Sequence, residues 1–174
     1  MDLFVGLRIV TGSYHLFQQS YLLENECGNF KDVTSDIAPL LAHPGLVTDV
    51  IWVDIDNDND PDLVIAGEWL PMQIFKNDEG RFSLLEKTGI EHLNGWWSNL
   101  AKGDFDNDGD MDFLAGNWGL NSCFQASEKE PLSIYYNDFD SNGVKEPVLF
   151  HYLEGVSAPF VNRDLLCAQM PALN

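Results

Sequence analysis

Asp104-Phe105-Asp106-Asn107-Asp108-Gly109-Asp110-Met111-Asp112 sets a carboxylate at every odd position of nine residues. The spacing recurs in Asp54-Ile55-Asp56-Asn57-Asp58-Asn59-Asp60-Pro61-Asp62 and, more sparsely, in Asp138-Phe139-Asp140-Ser141-Asn142-Gly143-Val144-Lys145-Glu146. We call these loops one (54–62), two (104–112) and three (138–146). All three carry oxygen side chains at positions 1, 3, 5 and 9. Calcium takes about six to eight oxygen ligands at roughly 2.3–2.6 Å, and a short loop with oxygens at alternate positions can curl round one ion. The expected ligands are the side chains of Asp54, Asp56, Asp58 and Asp62, of Asp104, Asp106, Asp108 and Asp112, and of Asp138, Asp140, Asn142 and Glu146. The backbone carbonyls of Asp60, Asp110 and Val144 at position 7 complete each set. Four or five carboxylates in nine residues repel one another unless a cation joins them, so the expected cofactor is Ca²⁺, two to three ions.

An EF-hand is the nearest alternative reading. It needs a bidentate Glu at position 12 and a helix on either side. Position 12 here is Ile65, Ala115 or Leu149. The flanks Val50-Ile51-Trp52-Val53 and Leu63-Val64-Ile65-Ala66 read as strands, so each loop is expected to close a β-hairpin. Gly109 suits the positive φ of a sharp turn at position 6; Asn59 tolerates it less well. Loop three carries the least charge and is expected to bind most weakly.

Repeats extend beyond the loops. Loops one and two lie 50 residues apart, and the strands after them match: Asp62-Leu63-Val64-Ile65-Ala66-Gly67 with Asp112-Phe113-Leu114-Ala115-Gly116-Asn117. Glu24-Asn25-Glu26-Cys27-Gly28-Asn29-Phe30 matches Lys76-Asn77-Asp78-Glu79-Gly80-Arg81-Phe82 at an offset of 52. A period near 50 falls in the range of four-stranded propeller blades. Within one unit the expected strands are Leu63–Gly67, Met72–Lys76, Arg81–Glu86 and Ser98–Lys102, with turns at Glu68–Pro71 and Asn77–Gly80. The fold class is all-β, a partial β-propeller of about three four-stranded antiparallel blades. Its expected division is an incomplete blade over 1–53, a blade over 54–103, and a blade plus the start of another over 104–174. Asp2 aligns with Asp62, the last ligand of loop one, which implies a chain cut from a longer parent, whose other blades would be partners, or else an incomplete gene product. Asn162 is read as the cap of a short C-terminal helix that Pro171 stops.

Composition narrows the function. The 174 residues, 45% hydrophobic, suffice for a sizeable core. A net charge of −19 argues against nucleic acid and anionic membrane as partners. Thirteen of the 28 acidic residues lie in the loops, so three divalent ions would bring the charge to about −13. No apolar run is long enough to span a membrane, and no signal peptide is visible. Cys27, Cys123 and Cys167 have no metal spacing and are expected as buried or half-buried thiols. The tryptophans Trp69, Trp96, Trp97 and Trp118 are read as packing between blades, with a ligand platform as the alternative. His15, His43, His92 and His151 show no paired spacing, and no G-x-S-x-G, Walker or dinucleotide motif occurs.

With these residues in view, the chain resembles the FG-GAP/VCBS repeat family, whose calcium loop 104–116 follows closely. Integrin α-subunit propellers carry loops of this kind. Gly67-Glu68-Trp69-Leu70-Pro71, Gly95-Trp96-Trp97-Ser98-Asn99, Gly116-Asn117-Trp118-Gly119-Leu120-Asn121 and the Asp138 loop are similar to the bacterial branch joined to an ASPIC/UnbV-type segment, related to cartilage acidic protein. The resemblance implies a secreted, surface or periplasmic module that binds or scaffolds a protein or carbohydrate ligand and is not an enzyme. The alternative is part of a propeller-type carbohydrate-active enzyme. The family's propellers commonly have seven blades, and this chain has material for about three.

Overall fold

The computed structural model describes residues 2–14, 16–124 and 126–170. They form two compact units, one of residues 2–10 and 16–118, the other of 11–14 and 119–170. Both are mostly antiparallel β, the partial propeller-like class expected from the repeats. In the first unit, β1 (Leu3–Val5), β2 (Tyr21–Glu26) and β3 (Asn29–Asp32) make a three-stranded sheet. Then β4 (Leu46–Val53), β5 (Asp62–Leu70), β6 (Gln73–Asp78) and β7 (Arg81–Leu84) form a four-stranded meander. A hairpin of β8 (Gly95–Gly103) and β9 (Asp112–Asn117) follows. The second unit holds β10 (Ser133–Asn137), β11 (Glu146–Leu153) and β12 (Val156–Pro159).

The strand β5 shows why the sequence folds this way. Successive strand residues point to opposite faces. Leu63 and Ile65 enter one core with Phe4, Leu22, Val33, Leu41, Val47 and Phe75. Val64 and Ala66 enter a second with Val53, Ile74 and Leu100. Both faces of β5 are therefore covered, and its sequence is a continuous apolar run rather than an alternation. Leu63, Val64, Ile65 and Ala66 are at most 1% exposed, and each of the three larger side chains contributes about 1.5–3 kcal/mol of burial. The same residues cement neighbouring sheets, which is how stacked repeats acquire a core that no single repeat could build.

A turn was expected at Glu68–Pro71, but β5 continues to Leu70. Trp69 takes φ +65°, rare for so bulky a residue. At this bulged strand end β5 pairs with β8 through Glu68↔Trp96 and Leu70↔Gly95, on the edge that β6 leaves after Ile65, while Glu68 still pairs with Leu46 of β4. Trp69, Trp96 and Trp118 meet edge to face at this junction, with ring centroids 5.2 and 5.3 Å apart. Repeated bulges also join β4 to β8. The register shifts between Val47 and Asp49 and again, 50 residues on, between Trp97 and Asn99. Thr48 Oγ1 donates to the Trp97 carbonyl (2.6 Å), the Leu100 N–H donates to Asp49 Oδ2 (2.7 Å), and Lys102 Nζ donates to the Trp52 carbonyl (2.6 Å).

The repeat holds at atomic detail. The two-residue turns Cys27-Gly28, Glu79-Gly80 and Glu154-Gly155 all have positive φ at both residues, the twist that suits a tight hairpin. Asn25 and Asn77 each accept, through Oδ1, the N–H of the turn glycine, at 2.7 and 2.9 Å. Asp2 Oδ1 accepts the Asn25 N–H (3.1 Å) as Asp62 Oδ1 accepts that of Asn77 (2.7 Å). The sheet β1–β3 thus corresponds to β5–β7. Among the described residues only β4–β7 makes a meander of four consecutive strands, and β8 and β9 join its sheet through β5. Asp138 follows Asp104 by 34 residues rather than 50, and among the described residues no strand lies between β9 and β10.

Several local features differ from expectation or add to it. Cys27 and Cys123 are exposed and Cys167 is half-buried, and none of the three is in a disulfide. Cys27 is exposed because it forms a hairpin turn. The helix α2 (Arg163–Gln169) begins as expected, with Asn162 Oδ1 accepting the Leu165 N–H at 3.0 Å; Pro171 lies outside the described residues. A short helix, α1 (Thr34–Ile37), and a 3-10 turn (Pro39–Ala42) connect β3 to β4. Thr34 is 1% exposed. Its Oγ1 accepts the Leu22 N–H (2.7 Å) and donates to Asp32 Oδ1 (2.6 Å), which also accepts the Thr34 N–H. These bonds hold the Asp32 carboxyl below its usual range, so their contribution is present above that range and fades as the pH falls through the lowered value. Thr34→Val leaves the buried Leu22 N–H without its acceptor and should cost about 1–3 kcal/mol in urea unfolding. A loss below about 0.5 kcal/mol would show the bond to be dispensable.

Candidate metal centres

Each acid loop closes a paired hairpin: loop one between β4 and β5, loop two between β8 and β9, loop three between β10 and β11. The register is the same in all three. The residue before position 1 pairs with the residue at position 9, as Val53↔Asp62, Gly103↔Asp112 and Asn137↔Glu146. Eight residues are thereby forced into one compact coil at a hairpin end.

The coil is held by its own acids. At position 9, Asp62 Oδ2, Asp112 Oδ2 and Glu146 Oε2 accept the position-2 N–H of Ile55, Phe105 and Phe139, at 2.9, 2.9 and 3.1 Å. At position 1, Asp54, Asp104 and Asp138 accept the position-6 N–H of Asn59, Gly109 and Gly143, at 3.0, 3.2 and 2.9 Å. At position 5, Asp58, Asp108 and Asn142 accept the position-7 N–H of Asp60, Asp110 and Val144, at 2.8, 2.9 and 2.7 Å. Hydrogen bonds to an ionised acceptor are roughly twice as strong as neutral ones, so these loops are ordered by charge that is already present.

With the backbone curled, carboxylate oxygens converge. Oxygens of Asp54, Asp56 and Asp58 lie within 4.8 Å of one another, as do those of Asp104, Asp106 and Asp108, and of Asp138, Asp140 and Glu146. The donor set is all oxygen and anionic, which suits a hard divalent cation. Asp62 and Asp112 stand outside these groups; Asp62, 1% exposed, spends its other oxygen on Asn77 of β6. Glu146, one methylene longer, reaches its group while still holding Phe139. The side chains of Asp60 and Asp110 turn outward: Asp60 Oδ2 accepts the Glu79 N–H (3.3 Å), and Asp110 Oδ1 accepts from Asn57 Nδ2 (2.8 Å), tying loop one to loop two. Asn142 Nδ2 donates to Asp140 Oδ2 (3.0 Å).

Two features escaped the sequence reading. Position 4 needs positive φ as much as position 6 does: Asn57, Asn107 and Ser141 adopt φ +60°, +62° and +60°. Asn at 57 and 107 was the available signal, since Asn is among the few non-glycine residues that visit this region readily. The other feature is Lys76 of β6, whose ammonium pairs with Asp56 and lies 3.6 Å from Asp58. Its hydrogen bond holds the Asp56 carboxyl below the usual range, and Asp56 in turn raises the Lys76 ammonium.

Residues 54–115 match the family profile of the FG-GAP-like repeat. The match begins at the first residue of loop one and ends within β9, so it takes in two of the three loops. No curated protein matches the chain. No helix among the described residues is long and apolar enough to cross a membrane.

The geometry divides the acids by task, and substitution separates them. Asp62→Ala removes the acceptor of two backbone N–H groups and should cost about 2–4 kcal/mol in excess EDTA. Asp58→Ala, which also relieves repulsion, should cost less than about 1 kcal/mol under the same conditions. Equal losses in metal-free unfolding would contradict this division.

Proposed function

We propose that this chain, which carries an FG-GAP-like repeat over residues 54–115, is a calcium-stabilised, non-enzymatic repeat module that works outside the cytoplasm as a binding or scaffolding platform. The observation that carries the reading is the convergence of three anionic oxygens in each of three loops. All three loops share one hydrogen-bond pattern. Asp54, Asp56 and Asp58, then Asp104, Asp106 and Asp108, then Asp138, Asp140 and Glu146 would hold the ions. When bound, the ion supplies positive charge that offsets the mutual repulsion of these acids. It has a structural task, because the carboxylates it faces are engaged with backbone N–H groups rather than aimed into a reaction cleft. Extracellular calcium modules bind at about 10⁻⁴–10⁻³ M, so the sites would be filled outside a cell and empty within, making calcium a folding cue on export.

A platform needs a surface for its ligand. The first unit has a cavity of about 490 Å³ between the β1–β3 sheet and the β4–β7 meander, walled by Leu22, Val33, Trp52 and Phe82 with exposed carboxylates of Glu24 and Glu79. Apolar walls with acidic edges suit a protein or glycan ligand carrying a basic group. The finer likeness we propose, to repeat proteins joined to an ASPIC/UnbV-type segment, is supported by the stretches Gly67–Pro71, Gly95–Asn99 and Gly116–Asn121 and by the Asp138 loop.

Thermal unfolding in excess EDTA and then in about 2 mM Ca²⁺, with calorimetric counting of ions, tests the reading. Sites of this strength, two or three in number, should raise the melting temperature by roughly 5–15 °C. Loop two should fill first. An unchanged melting temperature and no binding heat would overturn it.

A further inference from the structure

We infer that Lys76 is a built-in counter-cation of loop one, which calcium must displace, and that it sets loop one below loop two in calcium affinity. This rests on the calcium reading of the loops. Loops one and two have the same carboxylate spacing and hairpin register and share the bonds to the N–H groups at positions 2, 6 and 7; they differ at position 5, where the Asp58 N–H donates to Asp54 Oδ1 and the Asp108 N–H to Asp106 Oδ1. They also differ in what stands beside them. Loop one is covered by β6, the strand after β5, and Lys76 on that strand reaches Asp56 and Asp58. Loop two joins β8 to β9; β8 pairs with β5 only at its far end, and among the described residues no further strand pairs with β9 and no ion pair reaches the loop-two acids.

The chemistry of the contact is that of a site taking a cation. Asp56 and Asp58 are two of the three residues whose oxygens converge. An ammonium brings three N–H donors to oxygens that accept and cannot donate. It thereby relieves the repulsion that leaves loop two dependent on an external ion. The same charge opposes an incoming divalent cation. Two unit charges about 4 Å apart interact in water by enough to change a binding constant roughly fivefold, and a divalent ion feels more. Loop one should therefore keep its shape without calcium and bind it later.

The sheet β1–β3 shows that the position is not inherently basic. In the repeat alignment Lys76 corresponds to Glu24.

The test is calcium titration of the full chain and of its Lys76→Gln and Lys76→Met variants, read by isothermal calorimetry against a chelator of known affinity. One site should tighten about fivefold or more in both variants, while the tightest site stays unchanged. Asp58→Ala added to Lys76→Gln should abolish the gain and so assign it to loop one. Lys76→Arg, which keeps the charge, should behave as the unaltered chain. In EDTA the Gln variant should melt lower than the unaltered chain. Calcium binding with equal affinity to all of these proteins would overturn the role of Lys76 alone. Calcium binding to none of them would overturn the loops as calcium sites, and this inference with them.

Discussion

A carboxylate at the ninth position of each acid loop accepts the backbone N–H of the second, and the hairpins of this protein are organised round that bond. Asp62, Asp112 and Glu146 each sit at the first residue of a strand and reach back across the loop to Ile55, Phe105 and Phe139. The bond closes the coil, and the coil brings the position-1 and position-5 acids onto the amides at positions 6 and 7. Asp62 extends the same logic into the sheet, because its second oxygen fixes the end of β6. Asp2 does the equivalent for β2. Loop shape, strand register and the approach of the third strand thus follow from one side chain per repeat.

That arrangement concentrates charge. Curling nine residues round their own carboxylates leaves three anionic oxygens within 4.8 Å of one another at each loop, a geometry that favours a cation. The chain meets the demand unequally. Loop one has Lys76 at its edge, loop two has no such partner among the described residues, and loop three replaces one acid by Asn142, whose amide donates to Asp140. The net charge of −19 is the sum of such local choices.

Much of this was legible in the residues, for physical reasons that can be named. Oxygen side chains at alternate positions have few uses, and strands buried on both faces write themselves as runs such as Leu63-Val64-Ile65-Ala66. Asn77 and Gly80 announced their turn, and Asn162 its helix. What escaped depends on contacts distant in sequence. Nothing near Trp69 shows that β5 runs on to pair with β8, because the bulge is settled by Trp96 and Gly95. Thr34 looks like an ordinary loop threonine until Leu22 is placed above it. Lys76 reads as an exposed strand residue, and only the pairing of β5 with β6 brings it to Asp56. The positive φ at Asn57, Asn107 and Ser141 was within reach, had position 4 been weighed as position 6 was.

The most direct test of the account follows the loop amides themselves. In ¹H–¹⁵N spectra of the chain, the N–H groups of Gly109 and Gly143 donate to the position-1 carboxylates that would turn to the ion. Addition of calcium should move the Gly109 resonance first and saturably, then that of Gly143, while the Leu22 amide, bonded to Thr34 away from the loops, stays still. Resonances of Gly109 and Gly143 that do not move at millimolar calcium would contradict the claim that these acid loops are calcium sites.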